Sequence, residues 1–224
     1  MATGYVGGNW TLHRSFFSVQ HVQTRGLVHE SVAQVLSVTG LNLHPALIDV
    51  SDAVIERRLE RLTWVRSATV TKRWPSTIVL SVIERSPVAV VYNQRHQLVR
   101  VDITGHALDV ISLSRNLPLL EVVGRAIRAP WPFRPWSAAA ALVAGALPAP
   151  LQAQVAAVRV SRLGALSLRL TTPLTFILGA PTQLTAKFES VAAVIKASAV
   201  NNVALHAGDV IDVSVPGTLT VSGR

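Results

Sequence analysis

Cysteine is absent from this chain of 224 residues, which excludes disulfide bonds, thiol catalysis and thiolate metal sites. Aromatic side chains are scarce as well, at 5% of the residues, although 50% of the chain is hydrophobic. A core with few large rings must be built from small and β-branched side chains, and such a composition favours sheets backed by helices. The length suggests one large domain or two smaller ones.

Long hydrophobic runs are also missing. No stretch reaches the roughly 18 apolar residues that a membrane-spanning helix needs. Two interpretations stay open for the glycine-containing start of the chain: a frayed leader, or the last part of a membrane span with Trp10 and Arg14 at the interface. We expect residues 1–15 to lie apart from the folded domains, as a residual membrane-proximal segment.

Acidic residues are few, with 12 against 21 basic ones and a net charge of +9. Nucleic-acid binding is the first class to consider for a basic chain. However, the arginines are scattered, and the densest cluster, Arg57, Arg58 and Arg61, alternates with Glu56 and Glu60. This spacing favours a solvated basic surface with a mild attraction for anionic lipids or envelope polymers. It predicts no nucleic-acid partner.

Residue sets that carry catalysis or bind metals are not found either. The seven histidines form no His-x-His or His-x-x-x-His pair. A metal site of Asp102, His96 and His106 is conceivable, but surface histidines fit the spacing better. Asp209 and Asp212 would face opposite sides of a strand, which suits acid–base catalysis poorly. We predict a non-enzymatic protein with no cofactor and no metal, with an enzyme of diffuse site as a rival.

Residues 16–85 have the pattern of a small α+β domain. Loose alternation predicts a strand at residues 16–24, and amphipathic spacing predicts helices at residues 30–39 and 52–62. A β-hairpin follows, turning at Trp74-Pro75 because proline fixes φ and donates no hydrogen bond. The predicted order is strand, helix, helix, strand, strand, with both helices on one face of a three-stranded sheet.

Residues 86–224, starting at Ser86-Pro87, are predicted to form a second domain, antiparallel β with two packed helices. The predicted strands cover residues 88–92, 97–101, 155–160, 166–171, 174–178, 210–215 and 218–221. An alanine-rich helix is predicted at residues 138–147, and a longer one begins after Thr182. Residues 116–135 are rich in proline and are predicted to be an irregular connection.

The last predicted strand, residues 218–221, carries no charge and follows the Pro216-Gly217 turn. A terminal strand often lies at a sheet edge, where its N–H and C=O groups are unpaired. Two interpretations stay open: its own neighbours cover it, or it takes up a strand of another protein through main-chain hydrogen bonds. Proline at Thr220 is expected to remove one of the donors.

Ordered motifs along the chain resemble those of one protein family. Two of them are similar to the POTRA domain of the FtsQ/DivIB cell-division proteins: Trp64-Val65-x-Ser67-Ala68-x-Val70-x-x-Arg73-Trp74-Pro75 and Glu84-Arg85-x-Pro87-Val88-Ala89. Others resemble the β domain of that family: Leu98-Val99-x-Val101-Asp102-x-x-Gly105, Leu117-Pro118-x-Leu120, Leu178-Gly179 with Lys187, and Ile211-Asp212-Val213-Ser214-x-Pro216. The likeness runs from about Phe17 to Val221. Thr63 departs from it, because the family usually has proline before the tryptophan.

The resemblance implies a scaffold of the divisome, anchored in the cytoplasmic (inner) membrane by a single transmembrane helix missing from this chain. Residues 16–85 would be its POTRA domain and residues 86–224 its FtsQ-type β domain, both on the extracytoplasmic side at the septum. The implied partners are FtsB/DivIC and FtsL, with an indirect influence on the septal peptidoglycan synthase.

The resemblance also implies where the partners bind. The partner-binding residues carried over are Val210, Ile211, Asp212, Val213, Ser214, Val215, Thr218, Leu219, Thr220 and Val221. A recruitment face is carried over at Ser67, Val70 and Lys72. Arg162 or Arg169 is expected to pair with carboxylates of the partner.

The main alternative is a POTRA-type periplasmic module of an outer-membrane assembly or secretion system. Such proteins carry repeated POTRA domains and a barrel of strands about ten residues long. This chain instead has one POTRA-like unit followed by a half that contains helices.

Overall fold

The computed structural model describes residues 17–113, 116–122, 125–126, 128–129, 135–161, 163–200, 205–218 and 220–222. The expected membrane-proximal segment, residues 1–15, lies outside this part of the chain. Contacts divide the chain into two compact units, Met1–Arg85 and Ser86–Arg224. Over the residues described, no helix combines the length and the apolar character needed to cross a bilayer.

The first unit is a three-stranded sheet with two helices. Its elements in chain order are β1 (His21–Arg25), α1 (Val32–Thr39), α2 (Asp52–Leu59), β2 (Val65–Arg73) and β3 (Thr77–Glu84). Strand β3 lies in the centre, parallel to β1 and antiparallel to β2. The predicted order of strand, helix, helix, strand, strand is confirmed.

Local signals set the ends of the first helix. Ser31 Oγ accepts a hydrogen bond from the Gln34 N–H at 3.2 Å, and Gly40 ends α1 in the left-handed region with φ 78°. The second helix ends earlier than predicted, at Leu59, because the Leu62 N–H closes a tighter turn onto the Leu59 carbonyl at 2.9 Å. Leu62 is nevertheless buried in the core.

Both helices of the first unit contribute to one buried cluster with the sheet. Along β3, Ile78, Leu80 and Val82 face this cluster, as the period of two requires. The helices contribute Val35, Ile55 and Leu59, among others. This core holds β3 between its two neighbours and leaves β1 and β2 as the edges of the sheet.

The second unit is a larger sheet with helices against it. Its elements are β4 (Pro87–Asn93), β5 (Leu98–Asp102), β6 (Ala107–Ile111), β7 (Leu119–Val122), β8 (Arg125–Ala126), β9 (Arg128–Ala129), α3 (Pro135–Ala146), α4 (Ala149–Gln152), β10 (Val155–Val160), β11 (Leu166–Leu170), β12 (Thr175–Gly179), α5 (Leu184–Val200), β13 (Val210–Asp212) and β14 (Thr220–Ser222). The strand order is β14-β13-β12-β11-β10-β7-β4-β5-β6, with β8 beside β7 and β9 beside β4. Side chains of α3 and α5 join the strands in one buried cluster. The predicted α+β class is confirmed.

The sheet of the second unit is mixed, however, and not purely antiparallel. Strand β7 is parallel to both β4 and β10, and β12 is parallel to β13. Parallel neighbours need a crossover connection, which is usually a helix. The two predicted helices provide the crossovers of two of these pairs, since α3 lies between β7 and β10 and α5 lies between β12 and β13.

Two further expectations are corrected by the structure. Residues 116–135 are not wholly irregular, because β7 lies within them and occupies the middle of the sheet. Its four residues follow Pro118 directly, and such a short strand gives little periodic signal. Strand β13 ends at Asp212 rather than at residue 215, because Asp212 Oδ1 accepts the Ser214 N–H at 2.8 Å and turns the chain out of the sheet.

Candidate functional site

The large sheet has two end strands, β14 and β6, and they differ in how they are protected. Strand β6 has an irregular register against β5 and carries Asp109, whose carboxylate accepts hydrogen bonds from Arg100 at 2.7 and 2.6 Å. Bulges and charges are the usual devices that keep edge strands from pairing with other chains. Strand β14, Thr220–Ser222, has no charge, no proline and a regular register with β13. Among the described residues, β14 is therefore the end strand that carries neither of these protections.

The pairing of the neighbouring strands determines which main-chain groups of β14 point into the sheet and which point away from it. Val213 donates its N–H to the Ile177 carbonyl at 3.0 Å, and the Asp209 carbonyl accepts from Thr175 at 3.1 Å. The odd-numbered residues of β13 therefore point their main-chain groups toward β12, and Val210 and Asp212 point theirs toward β14.

Val210 is opposite Ser222, and Asp212 is opposite Thr220. Thr220 and Ser222 thus bond inward to β13. Because main-chain groups alternate along a strand, the N–H and C=O of Val221 point away from the sheet. The expectation that Thr220 supplies an outward main-chain donor is therefore wrong. The N–H and C=O groups that point outward are those of Val221.

The structure places the predicted partner-binding residues in three environments. Ile211 and Val213 are 0% exposed and belong to the core. Val210, Asp212 and Ser214 are half-buried, whereas four residues are exposed: Val215, Thr218, Thr220 and Val221. Leu219 lies outside the described residues. The exposed members of this set therefore lie in β14 and the turn before it, whereas the fully buried members are Ile211 in β13 and Val213 just after it.

A buried lysine holds the end of β12 next to this support. Lys187, on α5, is 2% exposed, and its Nζ donates to the carbonyl oxygens of Leu178 at 2.7 Å and Ala180 at 2.8 Å. Burial lowers the pKa of Lys187, and the charge of Asp212 partly offsets this. The sequence singled out Lys187 only by resemblance; its place beside the apolar stripe of α5 was the available signal of burial.

Gly179 lets the chain after β13 pass close to β12. Its φ of +66° lies in the left-handed region, and a Cβ at this position would lie 3.0 Å from the Ser214 Cβ. Ser214 in turn binds Asp212. The hydrogen bond from the Ser214 side chain lowers the pKa of Asp212 most, and the Ser214 N–H and the charge of Lys187 lower it further. These contacts direct the chain from β13 toward the Pro216-Gly217 turn.

An apolar groove lies beside β14, between this strand and α5. Its volume is about 420 Å³, and its lining includes Ala193, Val194, Ala197, Leu205, Gly217 and Val221. Val221 therefore offers two different surfaces, with its side chain in the groove and its main-chain groups at the free edge. Every second side chain of a segment paired with β14 would be able to reach this groove.

Arg169 is not placed where a strand docked on β14 would meet it. Its Nη2 lies 3.3 Å from Glu121 Oε1, and Arg159 Nε lies 2.7 Å from Glu121 Oε2. Arg169 belongs to β11, which is separated from β14 by β12 and β13. Three strand spacings amount to about 14 Å, so this expected pairing is wrong for a docked strand. Arg162 lies outside the described residues.

The predicted recruitment residues do not share one exposed face. Val70 is 7% exposed and belongs to the core of the first unit. Lys72 Nζ lies 3.3 Å from Asp52 Oδ1 on α2. Ser67 is opposite the exposed Ile83 in the register with β3, whereas Val70 is opposite the buried Leu80. The three residues share the edge strand β2, but Ser67 points to one side of the sheet and Val70 and Lys72 point to the other.

The described residues bring together no group of three or more side chains that could hold a metal ion. The candidate ligand Asp102 is engaged in its own turn. Its Oδ1 accepts from the Thr104 N–H at 2.8 Å and from the His106 N–H at 2.9 Å. These contacts are those of a turn that joins β5 to β6.

Comparison with known proteins identifies relatives of both units. The family model "POTRA domain, FtsQ-type" matches residues 17–85. The cell division protein FtsQ of Streptomyces griseus is 31% identical over 215 residues, which cover 93% of this chain and 98% of the relative. The FtsQ protein of Streptomyces bingchenggensis is 29% identical over 207 residues, covering 88% of this chain and 77% of the relative.

Relatives from other bacteria match a smaller part. The FtsQ protein of Zymomonas mobilis is 36% identical over 113 residues, which cover 49% of this chain. The match spans about a third of the length of that relative, at 35%, and 34% of the Novosphingobium aromaticivorans protein. The near full-length match in Streptomyces griseus, together with the FtsQ-type POTRA domain, shows that this chain belongs to the FtsQ/DivIB family of cell-division proteins.

Proposed function

We propose that this chain is a non-enzymatic scaffold of the divisome that takes up an extended segment of an FtsB/DivIC-type protein on strand β14. FtsL would join the same complex, and through it the chain would help regulate septal peptidoglycan synthesis. In this proposal residues 16–85 act as the POTRA domain and residues 86–224 as the FtsQ-type β domain. Both lie outside the cytoplasmic membrane at the septum, anchored by a transmembrane helix.

The observation that carries the proposal is the asymmetry of the two sheet ends. Strand β6 is blunted by its irregular register and by the Arg100–Asp109 pair, whereas β14 is regular and uncharged. Natural sheets rarely leave an edge unprotected without a use for it. β-Augmentation on such an edge uses main-chain hydrogen bonds for affinity and side-chain pockets for specificity.

The groove between α5 and β14 supports the same proposal. Its lining is apolar and includes Val221 and Gly217, so every second side chain of a docked strand would enter an apolar site. The cluster of Lys187, Gly179 and Ser214 holds the approach to the strand in place. An edge supported in this way is preorganised, which lowers the entropy cost of binding.

Recruitment to the division site is assigned in this proposal to strand β2, which holds Ser67, Val70 and Lys72. Strand β2 is an edge of the first sheet, and Arg66 and Thr69 are exposed on it. Because Val70 is buried, its part would be to support the strand, and the exposed positions and main-chain groups would meet the recruited protein.

Main-chain docking predicts a specific effect of proline. Val221→Pro removes the outward N–H while leaving the inward bonds of Thr220 and Ser222 in place. Val221→Ala is the matched control, since it shortens the same side chain but keeps the N–H. A labelled extracytoplasmic segment of the FtsB/DivIC-type partner would report affinity by fluorescence anisotropy.

We expect Val221→Pro to bind about tenfold more weakly than Val221→Ala, which corresponds to one net hydrogen bond of about 1.4 kcal/mol. A chain ending at Val215 should not bind. Thermal melting of each variant checks that the second unit stays folded. Equal affinities of the proline and alanine variants, or full binding by the shortened chain, would refute docking at β14.

A further inference from the structure

We propose that one end of the first unit contacts an anionic lipid bilayer, with the Trp74 indole among the lipid headgroups and the Arg73 guanidinium on their phosphates. This inference rests on the proposed function in one respect, namely that the chain works at the extracytoplasmic surface of a membrane. It gives a role to the Arg73-Trp74-Pro75 turn, which the proposed partner docking on the second unit does not use.

Three segments of the first unit meet at this end. Phe17 and Trp74 form an edge-to-face ring pair with centroids 6.1 Å apart. The Phe17 carbonyl accepts from Leu47 at 2.8 Å, and the Ser76 carbonyl accepts from Gln20 at 2.9 Å. The beginning of the described chain, the loop before α2 and the β2–β3 turn therefore form one surface, called the Trp74 end below.

The Trp74 end exposes apolar side chains on two of its segments. Trp74 is 55% exposed, Leu43 79% and Ile48 42%. Within the described part of the chain, the indole N–H of Trp74 has no hydrogen-bond partner. The indole ring itself packs edge-to-face with the Phe17 ring. A tryptophan with an apolar ring and an unpaired donor is suited to a membrane interface, where one part of the ring is dry and the other wet.

The charge next to Trp74 also suits an anionic surface. Lys72 is engaged by Asp52, but Arg73 is exposed and forms no ion pair with the described residues. Asp49 is the acidic group in the adjoining loop, and it is exposed as well. A free guanidinium beside an exposed indole can bind a lipid phosphate through its forked donors.

The direction of the chain argues for a bilayer rather than another protein. Phe17 packs on Trp74, so the first described residue of the chain lies at the Trp74 end. In the proposed topology the membrane helix precedes this entry point. The connecting chain then holds the Trp74 end near the bilayer at a high effective concentration, and a weak contact suffices.

Vesicle binding by the full chain tests this inference. The probes are vesicles of phosphatidylethanolamine with about a third phosphatidylglycerol, and vesicles of phosphatidylcholine alone. The variants are Trp74→Ser, Trp74→Phe, Arg73→Glu and the control Ile83→Ser. Ile83 is 62% exposed and lies on β3 some six residues, or about 20 Å, from the turn. Flotation gives the partition coefficient of each.

We expect Trp74→Ser to lower the partition coefficient at least fivefold on anionic vesicles and Ile83→Ser to leave it unchanged. Trp74→Phe keeps the ring pair with Phe17 and should fall between them. Arg73→Glu should weaken binding to anionic vesicles only. Equal partition of Trp74→Ser and the natural chain, with both folded by thermal melting, would overturn the inference.

Two control measurements identify the part of the chain that binds the vesicles. Trp10→Ser tests whether the chain before Phe17 does the binding instead. If that variant alone loses vesicle binding, the Trp74 end has no role. Partner binding is measured on the same proteins, and Trp74→Ser should retain it. Loss of vesicle binding with partner binding kept supports this inference, whereas a failure of Val221→Pro to affect partner binding concerns only the proposed docking at β14.

Discussion

The ammonium nitrogen of Lys187 lies 2.7 Å from the carbonyl oxygen of Leu178, at a site where the lysine is 2% exposed. A buried cation is costly unless its donors are satisfied, and here the Ala180 carbonyl takes a second donor. The contact joins helix α5 to the end of strand β12. It therefore fixes the crossover that brings β13, and with it β14, to the edge of the sheet.

Replacing this lysine should destabilise the second unit. Lys187→Met keeps most of the side-chain volume but leaves the buried Leu178 carbonyl and the part-buried Ala180 carbonyl without their donor. We expect a loss of about 2 kcal/mol in the free energy of unfolding, measured by urea denaturation. Lys196→Met on the same helix is the control, because Lys196 is exposed. Similar losses in both variants would mean that the contact with Leu178 is unimportant.

Gly179 should tolerate no side chain, for two separable reasons. Gly179→Ala meets both the positive φ of +66° and a Cβ contact of 3.0 Å with Ser214. Gly164→Ala is the matched control, since Gly164 has φ +84° but open space around its Cβ position. We expect Gly164→Ala to cost about 1 kcal/mol and Gly179→Ala clearly more.

The double variant Gly179→Ala, Ser214→Gly checks the cause of that difference. Removing the Ser214 Cβ should recover the part of the loss that comes from the contact, leaving the part that comes from φ. Thermal melting of the four proteins gives the coupling. No recovery in the double variant would show that the short approach to Ser214 does not limit stability.

Glu84 should make the first unit sensitive to acid. Burial raises the pKa of its carboxylate, but hydrogen bonds from the Val28 N–H, the His29 ring and the N–H groups of Glu30 and His29 outweigh this, and the pKa lies below 4.5. A carboxylate with a lowered folded-state pKa stabilises the protein above the pKa of the unfolded chain. That stability is lost as the pH falls below about 4.5.

Glu84→Gln tests this by removing the charge without removing the side chain. We expect a loss of about 1–3 kcal/mol at pH 7 and a flatter dependence of the melting temperature on pH below 5. Glu60→Gln is the control, because Glu60 is exposed. An unchanged acid dependence in Glu84→Gln would assign the acid sensitivity to other groups.

The Arg100–Asp109 pair should keep the β6 edge from self-association. Asp109→Val removes the only charge of β6 and leaves the exposed Val110 beside it. We expect dimers or larger species by size-exclusion chromatography with light scattering at concentrations where the natural chain is monodisperse. Glu189→Val is the matched control, because it makes the same kind of change at an exposed position of helix α5. A monodisperse Asp109→Val would show that the irregular register alone protects this edge.

Much of the fold was accessible from local pattern. The helix that Gly40 ends, the hairpin at Trp74-Pro75 and the strands at residues 155–160 and 166–170 agree with their periodicity. The chain-end position of the last strand suggested an edge, and β14 is at an end of the strand order. Strand β7 was missed, because four residues behind a proline carry too little pattern.

Local spacing and turn chemistry predicted the α+β class and its helices, since these signals act over a few neighbouring positions, and the ordered motifs carried the family resemblance. Tertiary structure alone decided that the main-chain groups of Val221, rather than those of Thr220, face outward, and that Lys187 is buried. It also decided that Arg169 lies too far from β14 to pair with a strand docked there. Each of these facts depends on the pairing of strands that are distant in the sequence. The pairing of β12 with β13, and of β13 with β14, determines which main-chain groups point toward which neighbour.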